Sequence, residues 1–224
     1  MGQNVVFSLF SRKQAHPQAP DPVEIPEWER EGWFTGKDFT SDWTSDNFPG
    51  WVTLLGPLKQ SKIDMLEIGS WEGRSAVFFL RFLPQTHITC VDPFTGSPAF
   101  HPGNEAYADV AKAAHFRFDR NTAEFGDRVE KIVQRSVPAL DALGQQGRKF
   151  DLIYVDGSHE EIDVLADSAL AWPLLKEGGI MIWDDYEFSH PRAQPKIAID
   201  AFLKAIAEHC EVVMQGYQMA VRKL

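Results

Sequence analysis

The residues best placed to do chemistry fall into two groups. Residues 63–75 read Ile-Asp-Met-Leu-Glu-Ile-Gly-Ser-Trp-Glu-Gly-Arg-Ser, so an apolar strand runs into Glu67, then Gly69 and Gly73, then an apolar helix from Ala76 to Leu83. Glycines at a strand-to-helix turn let a ligand approach the backbone, and the helix N-terminus behind them presents free N–H groups. A second strand, Thr86 to Val91, ends on Asp92. Acids at two consecutive strand tips beside a glycine turn suit a nucleoside with ribose hydroxyls.

The second group lies further along. One strand ends Tyr154-Val155-Asp156-Gly157-Ser158-His159 and the next ends Ile182-Trp183-Asp184-Asp185-Tyr186. In a doubly wound sheet ligands sit at the carboxyl ends of the strands, and neighbouring strands run ~5 Å apart. Asp156, Asp184 and Asp185 would then converge. Like charges that close raise one another's pKa unless something neutralises them, and a hard divalent cation with oxygen ligands is the simplest neutraliser. Mg²⁺ keeps several waters and leaves room for a substrate oxygen. The alternative is that Asp156 and Asp184 cap helices or hold a ligand amine without metal. His159, at the start of the following helix, is placed to accept a proton from a substrate hydroxyl. It is equally readable as a solvated helix-start histidine.

The glycine spacing selects among nucleosides. A dinucleotide site expects G-x-G-x-x-G, whereas here the pattern is G-x-x-x-G with Trp71 where the second glycine should stand. Glu67, two residues before Gly69, suits a cation better than a pyrophosphate, and the sulfonium of S-adenosylmethionine is such a cation. The run Glu67-Ile-Gly69-Ser-Trp-Glu-Gly73-Arg-Ser75 resembles motif I of class I S-adenosylmethionine-dependent methyltransferases, in the form of the cation-dependent, catechol-type O-methyltransferases. The stretch 195–203 and the aromatic N-terminal segment more closely resemble the broad methyltransferase-24 family. The resemblance implies cofactor contacts at Glu67, Gly69, Ser70, Gly73, Ser75, Asp92, Phe94, Ser136 and Asp156, with Asp92 on the ribose and Phe94 and Ser136 near adenine. For Phe94 and Ser136, core filler and helix N-cap are the competing roles. It also implies metal at Asp156, Asp184 and Asp185, and His159 as the base.

These groups need a scaffold, and the patterning supplies one. Expected strands are 63–68, 86–91, 129–133, 150–155, 180–183, 211–214 and 217–221. Expected helices lie at 51–58, 75–83, 105–125, 138–143, around 162–172 (closed by Gly178-Gly179) and 196–209. Alternation implies an α/β, doubly wound, mostly parallel seven-stranded sheet, and the resemblance adds an antiparallel last strand. Residues 1–50 read as an arm bearing Pro17, Pro20, Pro22 and Pro26 plus an aromatic cap, and residues 51–224 as the methyltransferase domain. The cap, with Trp33, Phe34, Phe39, Trp43 and Phe48, is expected either to cover the core or to line a substrate mouth.

Composition bounds the rest. A net charge of −10 argues against a nucleic-acid substrate. Two cysteines, Cys90 and Cys210, suggest neither a disulfide framework nor a metal site, and no apolar run reaches the ~18 residues of a membrane span. The expected partner is a small-molecule acceptor with a hydroxyl group, with no nucleic acid, no membrane and a possible homodimer, in the cytoplasm. The expected activity is methyl transfer to that hydroxyl with divalent-cation assistance. A metal-free N- or O-methyltransferase and a non-catalytic S-adenosylmethionine-binding protein remain open beside it.

Overall fold

The structure, a computed structural model, describes residues 32–96 and 105–224, and of 105–108 the backbone alone. The proline-bearing arm lies outside the described residues. Seven strands form one sheet: β1 (Ile63–Ile68), β2 (Thr86–Val91), β3 (Val129–Ile132), β4 (Phe150–Val155), β5 (Leu175–Trp183), β6 (Cys210–Gln215) and β7 (Met219–Lys223), in the spatial order β3-β2-β1-β4-β5-β7-β6. The first five run parallel, and β7 inserts antiparallel between β5 and β6. Around it lie the helices α1 (Phe48–Leu55), α2 (Arg74–Phe82), α3 (Glu105–Thr122), α4 (Ser136–Gln145), α5 (Glu161–Ala171) and α6 (Pro195–Ala205).

The strand period of two divides the core. Met65, Cys90, Tyr154 and Ile182 face α1, α2 and α3, while Ile68, Val91, Val155 and Trp183 face α4, α5 and α6. Both faces are covered, which is why β4 reads as a nearly unbroken apolar run. Among the described residues no helix is long and apolar enough to cross a membrane.

The chain reverses its winding direction between β1 and β4, and the ladder there runs one residue past each strand. Asp92 N–H donates to Ile132 O at 3.1 Å, Gly69 to Val91 O at 2.9 Å, Asp156 to Ile68 O at 2.8 Å and Asp184 to Val155 O at 3.0 Å. Asp92, Gly69, Asp156 and Asp184 therefore stand in one row across the carboxyl edge of four adjacent strands. At a topological switch point this is where an α/β sheet leaves a crevice.

Several boundaries differ from expectation. The helix expected at 51–58 begins at Phe48 and gives way to a 3₁₀ turn at Gly56, because Pro57 cannot continue the ladder. Gly178-Gly179 lies inside β5 rather than closing α5; Gly178 has φ 76° at an irregularity in the β4–β5 register. Ser136 is the first residue of α4, and the N-cap position belongs to Arg135. The last helix stops at Ala205, four residues short of His209.

Gly69 fixes the approach of β1 to β4. Its φ is 86°, and a Cβ there would lie 2.0 Å from the carbonyl oxygen of Asp156. Gly147 also has positive φ, 69°, but a Cβ there would meet nothing within 4 Å. Alanine at Gly147 should cost about 1–2 kcal/mol of backbone strain. Alanine at Gly69 should cost ~3 kcal/mol more, because backbone must also move. Denaturant midpoints of the two variants check the difference, and equal losses would contradict it.

Candidate functional site

The turn after β1 is built from alternating left-handed residues: Gly69 (φ 86°), Trp71 (φ 45°) and Gly73 (φ 80°). Trp71 is strained there, since a Cβ disfavours that region. Asp92 holds the turn in place. Its Oδ2 accepts from Ser70 N–H and Trp71 N–H, both at 2.8 Å, and its Oδ1 accepts from Phe94 N–H at 2.6 Å. Burial raises its pKa, and the three N–H donors oppose the rise. A carboxylate offers about four acceptor sites, so Oδ1 retains one for a ligand.

The other expected cofactor residues divide by depth. Gly69, Ser70, Ser75, Asp92, Ser136 and Asp156 line an open cavity of ≈ 1210 Å³. Glu67 is 0 % exposed and lies beneath it, accepting the Ser75 hydroxyl at 2.6 Å and the Cys90 thiol at 3.3 Å. Gly73 starts α2 where a Cβ would press on the Phe118 ring at 3.0 Å. The Phe94 ring is buried against Phe118 and His115, with centroids 5.7 and 5.9 Å away, and the cavity wall beside it is Pro93, Thr95 and Gly96. Phe94 is thus a core residue in this structure, and its backbone N–H carries its contact with the site.

The acidic tips of β4 and β5 converge. One ligand atom from each of Asp156, His159 and Asp185 lies within 4.8 Å of the others, a group able to hold a metal ion. Burial pushes Asp156 well above the usual carboxylate range, and Asp184 and Asp185 push it further. His159 Nε2 lies 2.5 Å from Asp185 Oδ2. Asp185 has φ 58°, so this pairing is held against backbone strain. Tyr217 donates its hydroxyl to Asp185 Oδ1 at 2.6 Å.

Asp184 sits differently. The Tyr154 hydroxyl donates to its Oδ2 at 2.8 Å, while Gln218 Nε2 at 2.9 Å and Asn47 Nδ2 at 3.4 Å donate to its Oδ1. Gln218 is itself fixed by Trp51, whose indole N–H donates to Gln218 Oε1 at 2.7 Å. Burial and then Asp185 raise the Asp184 pKa, opposed by the Gln218 and Tyr154 hydrogen bonds. The metal-competent trio therefore includes His159, and Asp184 stands beside it as a hydrogen-bonded neighbour. Tyr154 had a sequence signal: it is a polar-tipped residue two before Asp156, hence on the same side of β4. Gln218, 34 residues from Asp184, had none.

The aromatic cap both covers the core and lines the mouth. Trp33 and Phe48 are buried in the core, while Phe39, Asp42, Trp43, Asp46 and Asn47 line the cavity. Glu72, buried in the turn, accepts from Thr40 N–H at 2.6 Å and Thr40 Oγ1 at 2.8 Å. Arg74 donates to Asp42 at 2.7 Å and stacks over Phe34 at 4.5 Å. Trp43, 68 % exposed, stands 6.2 Å from Trp71 at the rim.

A family model described as a methyltransferase domain matches residues 66–186, from the glycine turn to the acids after β5. The chain belongs to this methyltransferase family. Solved structures share the methyltransferase's fold. MycE methyltransferase from the mycinamycin biosynthetic pathway, in complex with Mg, SAH and mycinamycin VI, gives a TM-score of 0.59 at 17 % identity over 88 % of this chain and 53 % of that one. The chain thus spans about half the length of MycE. The O-methyltransferase TomG from Streptomyces achromogenes, bound to SAM, gives 0.55 at 20 % identity over 76 % of each chain. A Bacillus cereus O-methyltransferase in complex with SAH gives 0.54 at 19 % identity over 91 % of this chain and 94 % of that one. Among curated proteins no sequence matches.

Burying Glu67 in this methyltransferase has a measurable consequence. Desolvation raises its pKa from 4.5 to about 6, against the Ser75, Ser70 and Cys90 hydrogen bonds. The folded state then holds the proton more tightly than the unfolded chain, so its stabilising effect is full below pH 4.5 and is lost as pH rises through about 6. Glu67→Gln should flatten the melting temperature across that window and leave a more stable protein at pH 7. Thermal melts from pH 4 to 7 check it; a parallel pair of curves would contradict the assignment.

Proposed function

We propose that this methyltransferase transfers the methyl group of S-adenosylmethionine to a hydroxyl of a small molecule, assisted by a divalent cation such as Mg²⁺. The observation that carries the proposal is the row Asp92–Gly69–Asp156–Asp184 across the sheet edge, opening on a cavity that also holds His159 and Asp185. Its ≈ 1210 Å³ exceeds the usual range for a single small-molecule site and is suited to cofactor and acceptor side by side. Trp71 fills the space a dinucleotide pyrophosphate needs, which favours a nucleoside without phosphates. MycE, TomG and the Bacillus cereus O-methyltransferase, each solved in complex with SAH or SAM, support the same choice.

The residues fit a cation. Three carboxylates and an imidazole are crowded together, and Asp156 is held in a state where its charge is unfavourable without a counter-ion. A bound divalent cation would lower the pKa of an acceptor hydroxyl and hold its oxygen in place. Asp156 and Asp185 would hold it, with Asp184 next in line, while His159 beside them keeps a ring nitrogen for the proton.

The chain's own residues do the remainder. Gly69 lets the cofactor lie against the β1 backbone, and Asp92 offers its remaining acceptor site to a ribose hydroxyl. Asp185 orients the His159 ring, which then takes the acceptor proton. Transfer forms an O–C bond and breaks the C–S bond, the sulfur keeping the electron pair. Positioning the two reactants within one cavity supplies most of the acceleration.

Two measurements test the proposal. Calorimetry should show binding of S-adenosylmethionine and S-adenosylhomocysteine and none of NAD; the reverse would end it. With an accepted hydroxyl compound, chelation should abolish release of S-adenosylhomocysteine and Mg²⁺ or Mn²⁺ should restore it, while His159→Ala should lower kcat by about 10²–10⁴-fold with unchanged cofactor affinity. Full turnover after exhaustive chelation would return the metal-free alternative.

A further inference from the structure

Asp167 is a buried acid that neither the fold nor the transfer chemistry explains. It lies on α5, is 2 % exposed, and lines the same cavity. The Ser136 hydroxyl lies near its carboxylate and favours the charged form. Its Oδ1 has no hydrogen-bond partner among the described residues. A buried carboxylate oxygen left unpaired costs free energy, so the cavity holds an acceptor waiting for a donor.

The position narrows the donor. Ser136 opens α4 after β3 and Asp167 lies on α5, so both line the cavity from the side of α4 and α5, and Asp92 lines the same cavity after β2. A nucleoside with its ribose at Asp92 can lay its base against this side of the cavity. Gly157 completes the opening: a Cβ there would lie 3.6 Å from Asp167 Oδ2, so a larger side chain would screen the carboxylate. A carboxylate accepts and does not donate, which matches a base edge carrying an amino group.

Resting on the assignment of S-adenosylmethionine as cofactor, we infer that Asp167 reads the exocyclic amine of its adenine, with Ser136 orienting the carboxylate. Burial, moderated by Ser136, places the Asp167 pKa at about 6, so the acceptor form prevails at neutral pH. A site built to pair with an amino group rejects an analogue that replaces it with a carbonyl, because two acceptors then face one another.

The test compares S-adenosylhomocysteine with its 6-oxo counterpart, S-inosylhomocysteine, by calorimetry on the whole chain. Wild type should bind the adenine compound about 10- to 100-fold more tightly, the range of a hydrogen bond to a charged group. Asp167→Asn presents an amide that can donate to the carbonyl, so the two affinities should converge to within about threefold. Equal affinities in wild type would overturn the inference without any variant, which keeps it testable if Asp167→Asn fails to fold. An unchanged ratio in a folded Asp167→Asn protein, with both ligands weakened alike, would also overturn it by showing a merely structural role. If wild type binds neither compound, the cofactor assignment fails and the inference with it. Binding of the adenine compound without discrimination removes the inference alone.

Discussion

The contact between Gly69 and the Asp156 carbonyl is the constraint on which the site depends. Two parallel strands can bring their tips level only if the turn leaving one does not collide with the turn leaving the other. A side chain at Gly69 would sit inside the Asp156 backbone, so the crevice at the switch point exists because residue 69 lacks one. Once the tips are level, four consecutive strand ends share a row and the acids they carry are forced into one cavity. The price of that convergence is electrostatic, and much of the local structure answers it.

The acids are handled in three ways. Glu67 is sealed under α2 with a hydroxyl and a thiol as donors, and its raised pKa records the desolvation. Asp92 is spent mostly on the backbone, tying the strained Trp71 turn to β2. Asp184 is satisfied by neutral donors, Tyr154, Gln218 and Asn47, which lessen its cost without cancelling its charge. Asp185 is met by the Tyr217 hydroxyl and His159, which leaves Asp156, reached by the Tyr154 hydroxyl at 3.1 Å, as the carboxylate whose field is least answered by hydrogen bonds. Adjacent residues of one type thus acquire different duties from environment alone, as happens wherever neighbouring carboxylates take separate roles.

The strand tips were legible in the sequence because an acid follows directly on a buried run, as at Asp92, Asp156 and Asp184. The glycine turn was legible because positive φ demands glycine. The division of labour between Asp184 and Asp185 was not, since both read simply as acids after β5. It is set by Gln218 and Asn47, which reach Asp184 from remote parts of the chain, and by an unforeseeable φ of 58° at Asp185. Phe94 stays open between core and pocket in the sequence for a similar reason: an aromatic after an acidic strand tip can turn inward or outward, and only the position of Phe118 decides. Asp167 carries no signal in the sequence, because a helix aspartate is ordinarily a solvated one and its burial comes from α5 packing against the sheet.

The cap segment is joined to the cofactor turn by charge as well as by apolar contact. Glu72 is fully buried, and its carboxylate is satisfied by Thr40 on the cap and by Arg117 on α3 at 3.3 Å. Separating a buried carboxylate from its partners costs about 3–5 kcal/mol, far more than an exposed ion pair is worth. Arg74, one residue past Gly73, adds a second tie through Asp42 and its stacking on Phe34. The glycine turn after β1 and the cap segment that lines the cavity are therefore one mechanical unit. Asn47, on the same segment, reaches Asp184 across the cavity. The turn and the cavity wall that the cap supplies are tied by these contacts, because neither half can shift without breaking a buried charge interaction.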